Sequence, residues 1–260
     1  MVNGLALLQN ESMKIYVRLR TWIMLATLPV TALVVALVMN HFGTGFGGPS
    51  MFTYMGVVQS MSSLAFLYAV VVAGDIVASE YSWGTIKLLL IRPVSRGKIL
   101  LSKYVAVLLF IIVQLLLLFM SSYLIGLIMF GLGSGIDAQA GSTISRLLGE
   151  YGLDAVETVM SVSLAFMISA AFRSSVMAIV ISVFLMFTAQ TFVVILSKFK
   201  YVWVKYFLYA NTDLSPYIYG DGQGPVPGMT LGFSVTMLVI YLVLFYFIAW
   251  LLFTKRDVAG

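Results

Sequence analysis

Apolar residues in this chain come in long runs, near 21–40, 55–78, 100–130, 153–172, 175–196 and 231–253, separated by short polar or basic stretches. A hydrocarbon core of about 30 Å takes roughly 20 residues of helix at about 1.5 Å per residue, and each run meets that length. The pattern therefore predicts an all-α polytopic membrane protein with about six transmembrane helices. The third run exceeds one membrane thickness, so its first turns, carrying Lys98 and Lys103, are expected to lie at the interface or to tilt. Asp154 and Glu157 make the start of the fourth run the weakest part of the pattern.

Composition agrees: with 61% hydrophobic and 10% charged residues, the 260-residue chain cannot cover an ordinary water-soluble surface. It reads as one membrane domain, 1–260, without room for a sizeable soluble domain. The lack of cysteine removes disulfides and thiolate metal sites, and a single histidine, His41, removes multi-histidine clusters. Neither a metal nor a cofactor is expected in this chain.

Basic residues set the expected orientation. With the N-terminus inside, Lys14, Arg18, Arg20, Lys87, Arg92, Arg96, Lys98, Lys103, Arg173, Lys255 and Arg256 are cytoplasmic, against Arg146, Lys198, Lys200 and Lys205 outside. Both termini are then cytoplasmic, and residues 1–20 form a retained segment in which Leu5, Leu8, Met13, Ile15, Val17 and Leu19 alternate with cations, as in an amphipathic helix. The outer loops would hold Glu150, Asp154, Glu157 and the long connection 197–230. The net charge of +5 thus reads as topology and attraction to anionic lipid, with no nucleic-acid partner.

The stretch EYSWGTIKLLLIRPVSRGKILLSK, from Glu80 to Lys103, separates the second and third runs. Asp75 and Glu80 sit at the membrane boundary, where an ionised carboxylate needs a partner or water. Trp83, Ile86, Leu89 and Leu90 recur at helical spacing with Lys87 among them, and Arg92-Pro93 ends the pattern because proline disfavours helical geometry in the residue before it. A short cytoplasmic helix is expected within 79–97, with Gly84 inside it, bare enough for another backbone to approach. Such a helix serves either as a headgroup anchor or as a docking surface.

The order of acidic residue, Gly84-Thr85, Leu88-Leu89, Pro93 and Ser95-Arg96 before the third span resembles the cytoplasmic signature of ABC-2 type transporter permeases, in the wording found in Bacillus-type Gram-positive bacteria. The six-span order, the N-terminal segment, the final Phe253-Thr254-Lys255-Arg256-Asp257 and the outer ANTDLSPY, Ala210 to Tyr217, extend the resemblance over nearly the whole chain. It implies a type V exporter-like permease subunit in the bacterial cell membrane, with an N-terminal connecting helix and a coupling helix. It also implies a separate cytosolic ABC ATPase that handles ATP and magnesium, and a second permease as homodimer or heterodimer partner. The chain has no G-x-x-x-x-G-K-[ST] phosphate loop, in keeping with that division of labour. On this resemblance Glu80, Gly84, Thr85, Lys87, Arg92, Pro93 and Arg96 are the candidate coupling residues.

Aromatic residues crowd the connection from Lys198 to Met229, as an interfacial belt or as short helices over an outer exit. Within the spans Gln59, Gln114 and Gln190 are candidates for a translocation path, since a buried amide needs partners. The function expected is export of a hydrophobic or amphiphilic substrate (a drug, antibiotic peptide or lipid-like molecule) by a permease that is not itself an enzyme. A passive channel or structural membrane component is the alternative. An intramembrane protease fits less well, because Asp75 and Asp154 are expected near opposite faces and His41 has no plausible nucleophile beside it.

Overall fold

The computed structural model describes residues 4–42, 50–85, 94–131, 140–172, 174–199, 201–220, 222 and 224–255, apart from the side chains of 140–143 and 190. Among the described residues every regular element is helical: α1 (Gly4–Tyr16), α2 (Leu19–Phe42), α3 (Met51–Ser60), α4 (Ser62–Ile76), α5 (Ala78–Ser82), α6 (Arg96–Phe130), α7 (Ala140–Ala171), α8 (Ser175–Lys198), a 3-10 turn (Val202–Tyr206), α9 (Leu208–Asn211), α10 (Ser215–Tyr219) and α11 (Leu231–Lys255). Six stretches are long and apolar enough to cross a membrane: Leu19–Phe42, Met51–Ile76, Arg96–Phe130, Ile144–Ala171, Ser175–Lys198 and Leu231–Lys255. By length and composition this is a multi-pass membrane protein.

The boundaries have local causes. The second span opens at Met51 because the Ser50 hydroxyl accepts the Thr53 N–H at 3.2 Å, a side-chain cap for an otherwise orphaned donor. It breaks at Met61, whose amide reaches back three residues to Val58 rather than four. The helix of the fourth span starts earlier than the apolar run suggests, so Asp154 and Glu157, expected in the outer loops, are helical. At 35 residues, α6 would be about 52 Å long at 1.5 Å per residue, well beyond one hydrocarbon thickness.

The chain divides into two compact units, one of Met1–Ser12, Ala69–Leu108 and Val156–Gly260, the other of Met13–Tyr68 and Leu109–Ala155. In the second unit, Leu28, Ala32 and Ala36 form one stripe of α2 and Met51, Tyr54, Met55 and Val58 one stripe of α3; both belong to a core with Leu118, Leu147 and Tyr151. Helical periodicity puts each set on a single face. The Tyr54 hydroxyl, buried in that core, donates to the Ala32 carbonyl at 2.8 Å, which removes the cost of an unpaired phenol. In the first unit Ala78, Ile168 and Ala178 form a smaller cluster of mostly small side chains. The connection after α8 is built of short helices, with a ladder of rings from Phe199 through Tyr201 and Trp203 to Phe207 at centroid spacings of 6.1, 6.0 and 5.4 Å.

Candidate functional site

Lys103 lies two turns inside α6 and is fully buried. Its ammonium donates to Glu11 Oε2 at 2.6 Å and to Glu80 Oε1 at 2.8 Å. A lysine buried within an apolar run remains charged when carboxylates replace its water, and α1 and α5 each bring one. All three side chains are shielded, with side-chain exposures of 1% for Lys103, 3% for Glu11 and 9% for Glu80. The arrangement fastens the N-terminal helix and the segment after the second span to the start of the third.

Glycine 84 completes it. Gly84, expected inside a helix through 80–92, is not helical: α5 ends at Ser82, Gly84 turns the chain at φ 69°, and residues 86–92 of the expected helix lie outside the described residues. A Cβ there would meet nothing within 4 Å, so its role is the left-handed turn and not close approach. The turn brings the Thr85 hydroxyl back to donate to Glu80 Oε2. Glu80 thus has both carboxylate oxygens occupied, one by Lys103 and one by Thr85. Gly84→Val should cost about 1–2 kcal/mol from the strain of an L-residue in the left-handed region. The cost should appear as faster proteolysis just after Ser82 in the membrane-embedded protein.

Between α4 and α5 the helix breaks, and Ser169 of α7 repairs the break. Its Oγ accepts the Val77 N–H at 3.1 Å and the Ala78 N–H at 3.0 Å. Asp75, one turn earlier, accepts from the Ser175 hydroxyl, and the Ser175 N–H donates to Ser82 Oγ at 3.1 Å. The approach of α8 is close because Gly74 has no side chain: a Cβ there would sit 3.3 Å from the Ile179 Cα. Bare backbone at 74 and small residues at 78 and 178 let α4, α5 and α8 pack near main-chain contact.

Arg96 opens α6, and its Nη1 donates to the Thr254 carbonyl at 2.9 Å. That carbonyl is in the last turn of α11, where helix geometry leaves C=O groups unpaired and a cation is favoured. Beside it, a Cβ on Gly97 would lie 3.1 Å from Trp250 Nε1. The beginning of the third span and the end of the sixth are therefore joined, at the same end of α6 as Lys103, Glu11 and Glu80.

Of the residues singled out by sequence, Glu80, Gly84 and Thr85 come together and Arg96 lies on the same helix as their lysine. Lys87, Arg92 and Pro93 lie outside the described residues. Glu11 and Lys103 were not among the coupling candidates; a lone acid in a basic N-terminal segment and a lone cation seven residues into an apolar helix are the signals that could have found them. Among the path candidates, Gln59 donates to Asp154 Oδ2 at 3.0 Å, which gives that carboxylate a donor within its span. Gln59→Leu should destabilise the protein by about 1 kcal/mol, the loss of a charge-assisted hydrogen bond at a part-buried site, seen as a lower heat-unfolding midpoint in detergent. Gln114 is 1% exposed, and its amide oxygen and nitrogen find no partner among the described residues. The side chain of Gln190, on α8, is not among those described.

A family model described as "Protein of unknown function (DUF2705)" matches residues 23–259. The chain is similar to "Uncharacterized protein YhcI" of Bacillus subtilis (strain 168), 34% identical over 315 residues that cover 98% of this chain and 100% of that protein. It is also similar to "Uncharacterized membrane protein YdbK" of the same organism, 31% identical over 247 residues that cover 95% and 99%.

Proposed function

The chain belongs to the DUF2705 family, described as a protein of unknown function, and from that premise we propose that it is the permease subunit of an ATP-binding cassette transporter. In this reading it exports a hydrophobic or amphiphilic substrate, and a separate cytosolic ATPase supplies the energy. The observation that carries the proposal is the buried Lys103 between Glu11 and Glu80. A motor outside the membrane can move spans only through an element that does not slip. Here Lys103 of the third span holds both the segment after the second span and the N-terminal helix by charge-assisted hydrogen bonds.

The resemblance to ABC-2 permeases in Glu80, Gly84-Thr85, Pro93 and Ser95-Arg96 supports the same reading. α1 takes the part of a connecting helix and the region around α5 that of the coupling element, with Arg96 passing movement to the sixth span through Thr254. The lysine and arginine distribution puts this end in the cytoplasm, with both termini. Two such subunits and two ATPases would make the working transporter, with ATP and magnesium bound in the ATPase.

The test is to purify the tagged chain from lipid with the product of any ATPase gene adjacent to its own and to measure ATP hydrolysis. A stable complex whose hydrolysis depends on the permease is expected. Ion conductance without ATP and without an associated ATPase would instead favour a passive channel.

A further inference from the structure

Between Gly97 and Tyr104 of α6 and Val243, Tyr246, Phe247 and Trp250 of α11 lies an open groove of about 510 Å³. Its floor exists because residue 97 is glycine; any side chain there would press on the Trp250 indole. The walls are apolar, and Val243, Phe247 and Trp250 are 59%, 53% and 39% exposed, so the groove faces outward on a span. The Tyr104 hydroxyl is already engaged with Ser163 at 2.7 Å. The Trp250 indole N–H, by contrast, points over Gly97 with no acceptor among the described residues.

One end of the groove is positive. Arg96 closes it by its bond to the Thr254 carbonyl, and exposed Lys98 and Lys255 stand beside those two residues in the chain. An apolar slot, a single indole donor and a cationic end are complementary to an acyl chain, an ester carbonyl and a phosphate in that order.

We propose that this groove binds an anionic glycerophospholipid of the surrounding membrane, with an acyl chain against Val243 and Phe247, an ester carbonyl on the Trp250 indole and the headgroup at Lys98 and Lys255. The proposal does not depend on the transport reading.

The test uses the full chain with Trp22, Trp83 and Trp203 replaced by phenylalanine, in vesicles of phosphatidylcholine containing a minor fraction of dibrominated phosphatidylglycerol or dibrominated phosphatidylcholine. Bromine quenches the one remaining tryptophan, Trp250, only in near contact. Phosphatidylglycerol should show about fivefold higher apparent affinity, the effect expected for one basic residue acting on an anionic lipid. Lys98→Gln with Lys255→Gln should shrink that preference, and Gly97→Leu, which fills the floor, should remove it. Native mass spectrometry of the wild-type chain from mixed-lipid nanodiscs should retain phosphatidylglycerol over phosphatidylcholine, and less so in Gly97→Leu. Equal quenching by the two lipids would overturn the proposal as non-selective solvation. Absence of quenching by either would overturn it in favour of a groove covered by a second copy of the chain.

Discussion

Lys103→Met should lower stability by about 3–5 kcal/mol, because it removes the buried ammonium that donates to both Glu11 and Glu80. The measurement is the heat-unfolding midpoint of the purified chain in detergent. Adding Glu11→Gln and Glu80→Gln to Lys103→Met should recover a large part of the loss, since neutral amides are cheaper to bury than the two carboxylates that lost the ammonium. If the single variant unfolded at the wild-type temperature, the buried triad would not be a structural lock. In an assembled transporter the triple variant should fold, bind its ATPase and hydrolyse ATP without moving substrate, since the element receiving the motion would no longer be tied to the spans.

Gly74→Leu should cost about 2–3 kcal/mol by overpacking, and its failure should be local. The Cβ of any residue at 74 falls 3.3 Å from the Ile179 Cα, a backbone atom that cannot rotate away. The side chain beyond it would push α8 from α4, stretching the Asp75–Ser175 and Ser82–Ser175 hydrogen bonds. A cysteine pair at Ala73 and Ala178, compared with and without Gly74→Leu, would report the separation by its rate of disulfide formation. Slower cross-linking together with a lowered unfolding midpoint is expected. An unchanged rate would mean that the contact tolerates a large side chain.

The spans were legible in the sequence because membrane helices are specified by a gross quantity, the length of an apolar run, that needs no knowledge of neighbours. Where a single side chain decides a boundary the pattern was weaker: Asp154 suggested a loop, but Gln59 supplies a donor that lets α7 carry it. The turn at Gly84 was misread as helix interior, since glycine serves equally for close approach and for positive φ, and spacing does not separate the two. Glu80 and Thr85 were legible as members of a site, and Arg96 through its place before the third span. Lys103 and Glu11 were not, because their partnership joins residues 92 positions apart. In a basic segment each lysine looks like a topology signal until its burial is known.

In the proposed transporter the segment following the second span receives the ATPase. Trp83 is the natural probe, 66% exposed and next to the Gly84 turn. A photoactivatable amino acid placed at Trp83 in intact membranes, with a control at Trp203, should capture the ATPase at position 83 and not at 203. Capture at neither position, or at 203 alone, would contradict the account.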